Sequence, residues 1–132
     1  MNPFACFVTG TDTEVGKTLI SSAILHALGQ RGVRAAGMKP VAAGADLIDG
    51  VWHNDDADAL AAAANVVLPP QLATPYLLRI PAAPHIAAAL DRVAIDPARI
   101  LACFQQITQL SDAVVVEGVG GFRVPFSNDF DS

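Results

Sequence analysis

Three short apolar runs punctuate the chain, and each ends in residues that do not belong to a core. The first, residues 4–9, stops at Gly10; the second, 34–38, closes on Lys39-Pro40; the third, 112–117 (DAVVVE), stops at GVGG. Apolar runs without alternation predict strands buried on both faces, as in a parallel sheet. After the first run, Ile20, Ala23, Ile24, Ala27 and Leu28 recur at helical spacing from about Lys17, and Gly29 and Gly32 predict the end of that helix. Asn54 predicts an N-cap, with Asp55, Asp56 and Asp58 in the first turn of an Ala-rich helix. Two more helices are predicted at Pro84–Leu90 and Pro97–Leu110, each opened by its proline, and a short strand at Tyr76–Leu78. Residues 42–53, with Gly44, Asp46, Asp49 and Gly50, read as a loop. Strands alternating with helices predict an α/β domain with a mainly parallel sheet.

Composition narrows the function classes. A chain of 132 residues, 52% hydrophobic and 16% charged, is globular and long enough for one domain with a real core. A net charge of -5 argues against nucleic acid as a partner, though a local phosphate site remains open. No run approaches the roughly 18 apolar residues a membrane span needs, and no basic region precedes the apolar N-terminus, so neither a membrane segment nor a signal peptide is expected. Cys6 and Cys103 form no C-x-x-C pair and read as two buried thiols of a reducing, cytoplasmic protein. The use of charge is more informative. The chain has two lysines, Lys17 and Lys39, and two glutamates, Glu14 and Glu117; elsewhere it uses Arg and Asp. Lys offers a compact ammonium that Arg's planar fork does not reproduce.

All four residues lie at the ends of the apolar runs or close to them, which is where α/β sheets bind ligands. After the first run comes Gly-Thr-Asp-Thr-Glu-Val-Gly-Lys-Thr, from Gly10 to Thr18, a phosphate-loop pattern with five residues rather than four between its glycines. Small residues let the backbone wrap a phosphate, and the following helix adds the positive end of its dipole. Lys17 is expected to reach the outer phosphates and the Thr18 hydroxyl to meet Mg²⁺. Lys39 precedes a proline and is therefore held on a stiff extended backbone; its spacing fits an aimed site residue and a solvated lysine equally. A carboxylate at the tip of a buried strand, Glu117, needs a cation; Mg²⁺ or a nearby arginine would serve. Asp55 and Asp58 are explained by the helix dipole, whereas spacing leaves Asp56 undecided. His26 and His85 read as structural, and Trp52 as a lid or a packed side chain.

The segments VTGTDTEVGKT, GMKPVAAG, HNDDADAL, APHIAA and VVVEGVGGFRVP together resemble dethiobiotin synthetase, in order and spacing and over essentially the whole chain. The resemblance implies a three-layer P-loop NTPase-like fold, with residues 1–132 as a single, incomplete domain. It implies an ATP- and Mg²⁺-dependent ligase in biotin biosynthesis, cytoplasmic and homodimeric. In that reaction 7,8-diaminononanoate and CO₂ form a carbamate, ATP phosphorylates it, and the second amine closes the ureido ring. Carried over by position, Glu14, Val15, Gly16, Lys17, Thr18 and Leu19 fall on the ATP phosphate loop, and Thr13 lines the reacting centre. Lys17 and Lys39 match the two lysines that steady carbamate and γ-phosphate. Thr18, Asp56 and Glu117 match the Mg²⁺ ligands, with Asn54, Asp56, Ala57 and Leu60 in register. Glu117, Gly118, Val119 and Gly120 match a second nucleotide contact, and Lys39 and Ala43 the substrate contacts.

Two departures stand out. Ala43 occupies a position where the family commonly has Ser, so a hydroxyl contact to substrate is absent. Family members also run further, and their later strands complete the sheet, bind adenine and hold substrate across the dimer. The first strand is therefore expected to be left as an apolar edge, and this chain alone to have little activity. Alternatives are a partitioning-type ATPase, a cobyrinate-type amidoligase, or an inactive nucleotide-binding fragment. The partitioning ATPases usually carry a lysine early in the loop, where this chain has Thr11, Asp12 and Thr13.

Overall fold

The computed structural model of the chain describes residues 4–9, 14–82, 84–118, 125–127 and 130–131. In chain order the strands are β1 (Phe4–Val8), β2 (Ala35–Met38), β3 (Val41–Ala43), β4 (Asp46–Ile48), β5 (Val51–His53), β6 (Tyr76–Leu78), β7 (Ala113–Glu117), β8 (Pro125–Ser127) and β9 (Phe130–Asp131). The helices are α1 (Glu14–Gln30), α2 (Asp55–Ala63), α3 (Pro70–Ala73), α4 (Pro84–Leu90) and α5 (Pro97–Leu110).

The three apolar runs form one parallel sheet in the order β1-β7-β2, with β7 in the middle. The two faces of the sheet follow from the alternation of side chains along each strand. Ala35, Ala113 and Val115 face α1 and α2, packing with Leu25 and Leu60. Ala36, Met38, Val114 and Val116 face the other way, against Ile107 and Phe104 of α5 and Leu72 of α3. Three layers result, as the resemblance implied. The β2 strand ends at Lys39-Pro40 because proline has no N–H for a ladder. Beyond it, β3 pairs in parallel with β6, and Tyr76 N donates to the Pro40 carbonyl at 3.1 Å. A second core, with Val41, Tyr76, Leu78, Ala87, Ala88 and Ile95, lies there.

Several expectations are corrected. Residues 42–53 are not a loop: β3 ends inside them, and β4 and β5 form an antiparallel hairpin. Its turn is Asp49-Gly50, with φ of 51° and 79°, the left-handed pair that a two-residue hairpin turn requires. The first helix starts at Glu14, before Lys17, and α3 was not expected. Ile20 does not lie on the buried stripe of α1. It is 52% exposed, while Thr18, Ser21 and Leu25 face the sheet. β1 is not buried on both faces: Phe4 and Phe7 are 54% and 64% exposed, and β1 ends the sheet among the described residues. Cys6 and Cys103 are half-buried rather than buried.

Two contacts in this frame yield tests. A Cβ on Gly37 would lie 3.2 Å from both Leu25 Cδ1 and Leu60 Cβ, so its absence lets α1 and α2 sit close on β2. Gly37→Ala is expected to lower stability by about 1–3 kcal/mol through overpacking, read as a lower urea midpoint at unchanged slope. At the amino ends of β2 and β7, Arg34 Nη2 lies 3.3 Å from Asp112 Oδ1. This hydrogen-bonded guanidinium holds the Asp112 carboxyl below the usual carboxylate range. Because the folded pKa is the lower one, the contribution is present above the ordinary carboxylate range and lost as pH falls below it. Asp112→Asn is expected to flatten that acid limb of the stability curve and to leave the neutral-to-alkaline limb unchanged in shape.

Candidate functional site

Register places the site. Val8 pairs with Glu117 and Met38 with Val116, so Lys39 stands level with Glu117 one step beyond the last β2–β7 pair. Alternation turns Glu117, two residues on from Val115, toward the α1 face, where Thr18 sits in the second turn of α1. The three side chains meet on one oxygen. Lys39 Nζ donates to Glu117 Oε2 at 2.8 Å, and Thr18 Oγ1 donates to the same oxygen at 3.0 Å. Lys39 Nζ also donates to the Gly118 carbonyl at 3.3 Å. Glu117 is 0% exposed, Lys39 and Lys17 2% each, and Thr18 7%. Lys39 is thus not a solvated lysine, and the cation beside Glu117 is this lysine rather than an arginine.

Two buried polar atoms have no hydrogen-bond partner among the described residues: Glu117 Oε1 and Ser21 Oγ. Ser21, three residues after Thr18 and so on the same side of α1, went unnoticed in the sequence. A serine pair inside an apolar stretch carries no signal of its own. The Gly118 carbonyl as an acceptor for Lys39 also went unnoticed, because a backbone carbonyl leaves no trace in residue type.

Other candidates are placed apart. Asp56 is half-buried in the first turn of α2, and no hydrogen bond or ion pair joins it to Thr18 or Glu117 among the described residues. Asn54 is the N-cap as expected: its side chain accepts from Ala57 N at 3.0 Å and donates to the Gly44 carbonyl at 2.7 Å. Asp58 turns to His53, Nδ1 to Oδ2 3.0 Å. Ala43 is half-buried at the end of β3, and Leu19 is 71% exposed. Trp52 is partly exposed with the Arg79 guanidinium 4.7 Å from its ring centroid, a cation–π contact. Thr13, Val119 and Gly120 lie outside the described residues, and of Glu14 and Val15 only the helical backbone is described. No group of three His, Cys, Asp or Glu side chains converges among the described residues. Beside the cluster, a cavity of about 340 Å³ opens between the sheet and α5, lined by Phe7, Thr9, Pro40, Phe104, Glu117 and Gly118.

This geometry can hold an anion at the start of α1, with buried cations beside it and a buried carboxylate behind. The profile of the family described as AAA domain matches residues 5–131. The chain belongs to the AAA domain family. Among curated members of known name it is 64% identical to "ATP-dependent dethiobiotin synthetase BioD" of Janthinobacterium sp. (strain Marseille), over 133 aligned positions and 98% of this chain. The likeness read from the motifs is thereby shown. The chain spans 56% of the length of that relative. No helix of this family member is long and apolar enough to cross a membrane among its described residues.

The ion pair makes a stability test. Lys39→Met leaves the Glu117 carboxylate buried without its ammonium and is expected to cost about 3–5 kcal/mol. Lys39→Met combined with Glu117→Leu is expected to recover most of that loss, because the uncompensated charge is gone. Urea denaturation of both variants checks this; equal losses would mean that the pair is not coupled.

Proposed function

We propose that the chain forms the nucleotide and reaction centre of an ATP-dependent ligase that closes the ureido ring of dethiobiotin, acting in the cytoplasm as part of a homodimer. The observation that carries this reading is the buried Thr18–Glu117–Lys39 cluster at the carboxyl ends of the sheet. The 64% identity to a protein named as a dethiobiotin synthetase supports it. The backbone from Glu14 to Leu19 would receive the phosphates of ATP, whose charge suits the N-terminal end of α1, and Thr13 would line the reacting centre. Gly118, Val119 and Gly120 would add a second contact to the nucleotide.

A divalent cation fits the residues present. Glu117 Oε1 is buried without a partner among the described residues, and the donors at hand are hard oxygens. Thr18 and Glu117 would hold Mg²⁺, with Asp56 of α2 as a further ligand. Bound there, Mg²⁺ would supply charge neutralisation at the phosphates.

The substrate 7,8-diaminononanoate enters as a carbamate, after one amine has added to CO₂ and lost a proton. The carbamate oxygen attacks the γ-phosphorus and ADP leaves. The second amine then attacks the carbamoyl carbon, phosphate leaves, the attacking nitrogen gives up a proton, and the ring closes. Lys17 and Lys39 would offset the negative charge spread over the transferring phosphoryl group. Ala43 offers only its backbone N–H where a hydroxyl would add a substrate contact.

The test uses the full-length product of the native gene with ATP, Mg²⁺, ¹⁴C-bicarbonate and 7,8-diaminononanoate. Acid-stable label in dethiobiotin, formed in step with ADP, is expected. Lys39→Met is expected to lower kcat by about 10²-fold or more, the usual cost of one transition-state donor. ADP release without acid-stable product would defeat the proposal.

A further inference from the structure

We infer that Lys39 and the divalent cation are alternative partners of Glu117, so that metal binding unlatches Lys39 and delivers it to the reacting groups. This rests on the reading of Thr18 and Glu117 as cation ligands given above.

A carboxylate with no exposed surface stays ionised only with a positive charge beside it. Without metal that charge is Lys39, at 2.8 Å from Glu117 Oε2 and buried with it. The Thr18 hydroxyl is spent on the same oxygen, 3.0 Å away. A hydroxyl that donates its proton to Glu117 still has lone pairs for a cation, and Glu117 Oε1 adds an acceptor with no described partner. A cation on Glu117 would therefore lie within a few ångströms of the ammonium, and like charges that close in a buried site repel strongly. The ammonium is the mobile member of the pair. Its backbone is stiff, being the residue before Pro40, but its four-carbon stem has rotatable bonds that can redirect the ammonium at fixed Cα. The Gly118 carbonyl, 3.3 Å from Nζ, gives it a resting contact. The latch keeps the carboxylate neutralised when nucleotide and metal are absent. It also withholds a transition-state cation until the metal has arrived. Coupling is reciprocal, so Lys39 weakens metal binding by the factor by which metal frees Lys39.

The readout is the reactivity of the Lys39 amine, not turnover. Full-length protein is pulsed with an amine acylating reagent, and modification of Lys39 is quantified by mass spectrometry. One sample holds ADP with Mg²⁺ and the other ADP with chelator; ADP leaves the γ-phosphate position open. Mg²⁺ is expected to raise the rate of Lys39 modification by about tenfold, within the usual range of site-to-site coupling. In Glu117→Gln the rate is expected to be high with and without Mg²⁺. An unchanged Lys39 rate in wild-type protein, where Mg²⁺ strengthens ADP binding in a Glu117-dependent way, would overturn the latch and leave the cation site standing. A Mg²⁺ effect on ADP affinity that is indifferent to Glu117→Gln would overturn the cation site and the latch together. The wild-type comparison requires no variant to fold.

Discussion

A negative charge buried at the end of the central strand is the constraint around which this molecule is arranged. Glu117 closes β7 with 0% of its surface exposed, between β1 and β2. A carboxylate there is tolerable only with a cation and hydrogen-bond donors in contact. The donors come from two other elements, Lys39 after β2 and Thr18 on α1, and both address Oε2. One oxygen thus ties a helix and two strands together at the end of the sheet where ligands of α/β proteins bind. Displacing any of the three elements would leave a charge or a donor stranded.

The meeting of these groups is a consequence of parallel register. Glu117 is 99 residues from Thr18 and 78 from Lys39. Because β2 and β7 run in the same direction and pair Met38 with Val116, the residues just past each strand end are neighbours. Close approach of the helices depends on the same face of the sheet. Gly37 presents no Cβ to Leu25 and Leu60, so α1 and α2 settle against β2 and bring Thr18 down to strand level. The packing of small residues under two helices and the chemistry at the strand tips are one arrangement.

What could be read from the sequence is what has a local cause. The three strands were legible because unbroken apolar runs of that length have few other uses. The Asn54 cap was legible because its hydrogen bond to Ala57 N spans three residues. The phosphate-loop pattern singled out Lys17 and Thr18 because glycine, lysine and threonine in that order answer a particular need for small, cationic and hydroxyl groups. What was missed has a tertiary cause. Which face of α1 is buried depends on the sheet beneath it, so Ile20 read as a core residue while Ser21 drew no reading. Residues 46–53 set Leu47-Ile48 and Val51-Trp52 on either side of Asp49-Gly50 without alternation, so only the turn was legible there. Asp56 was singled out by motif register alone, and among the described residues no hydrogen bond or ion pair joins it to Thr18 or Glu117.

The scarcity of lysine now has a physical reading. The chain places Arg at six positions and Lys at only two, and both lysines are 2% exposed. The described arginine pairs lie elsewhere, with Asp112 at the surface and with the rings of Trp52 and Tyr76. A guanidinium beside Glu117 would fill both carboxylate oxygens with a bidentate fork and hold them rigidly. An ammonium engages one oxygen and leaves Oε1 open. It also carries its charge in a small volume on a flexible stem. The cation exchange proposed above needs a weakly chelating, mobile charge, and lysine supplies that where arginine would lock the carboxylate shut.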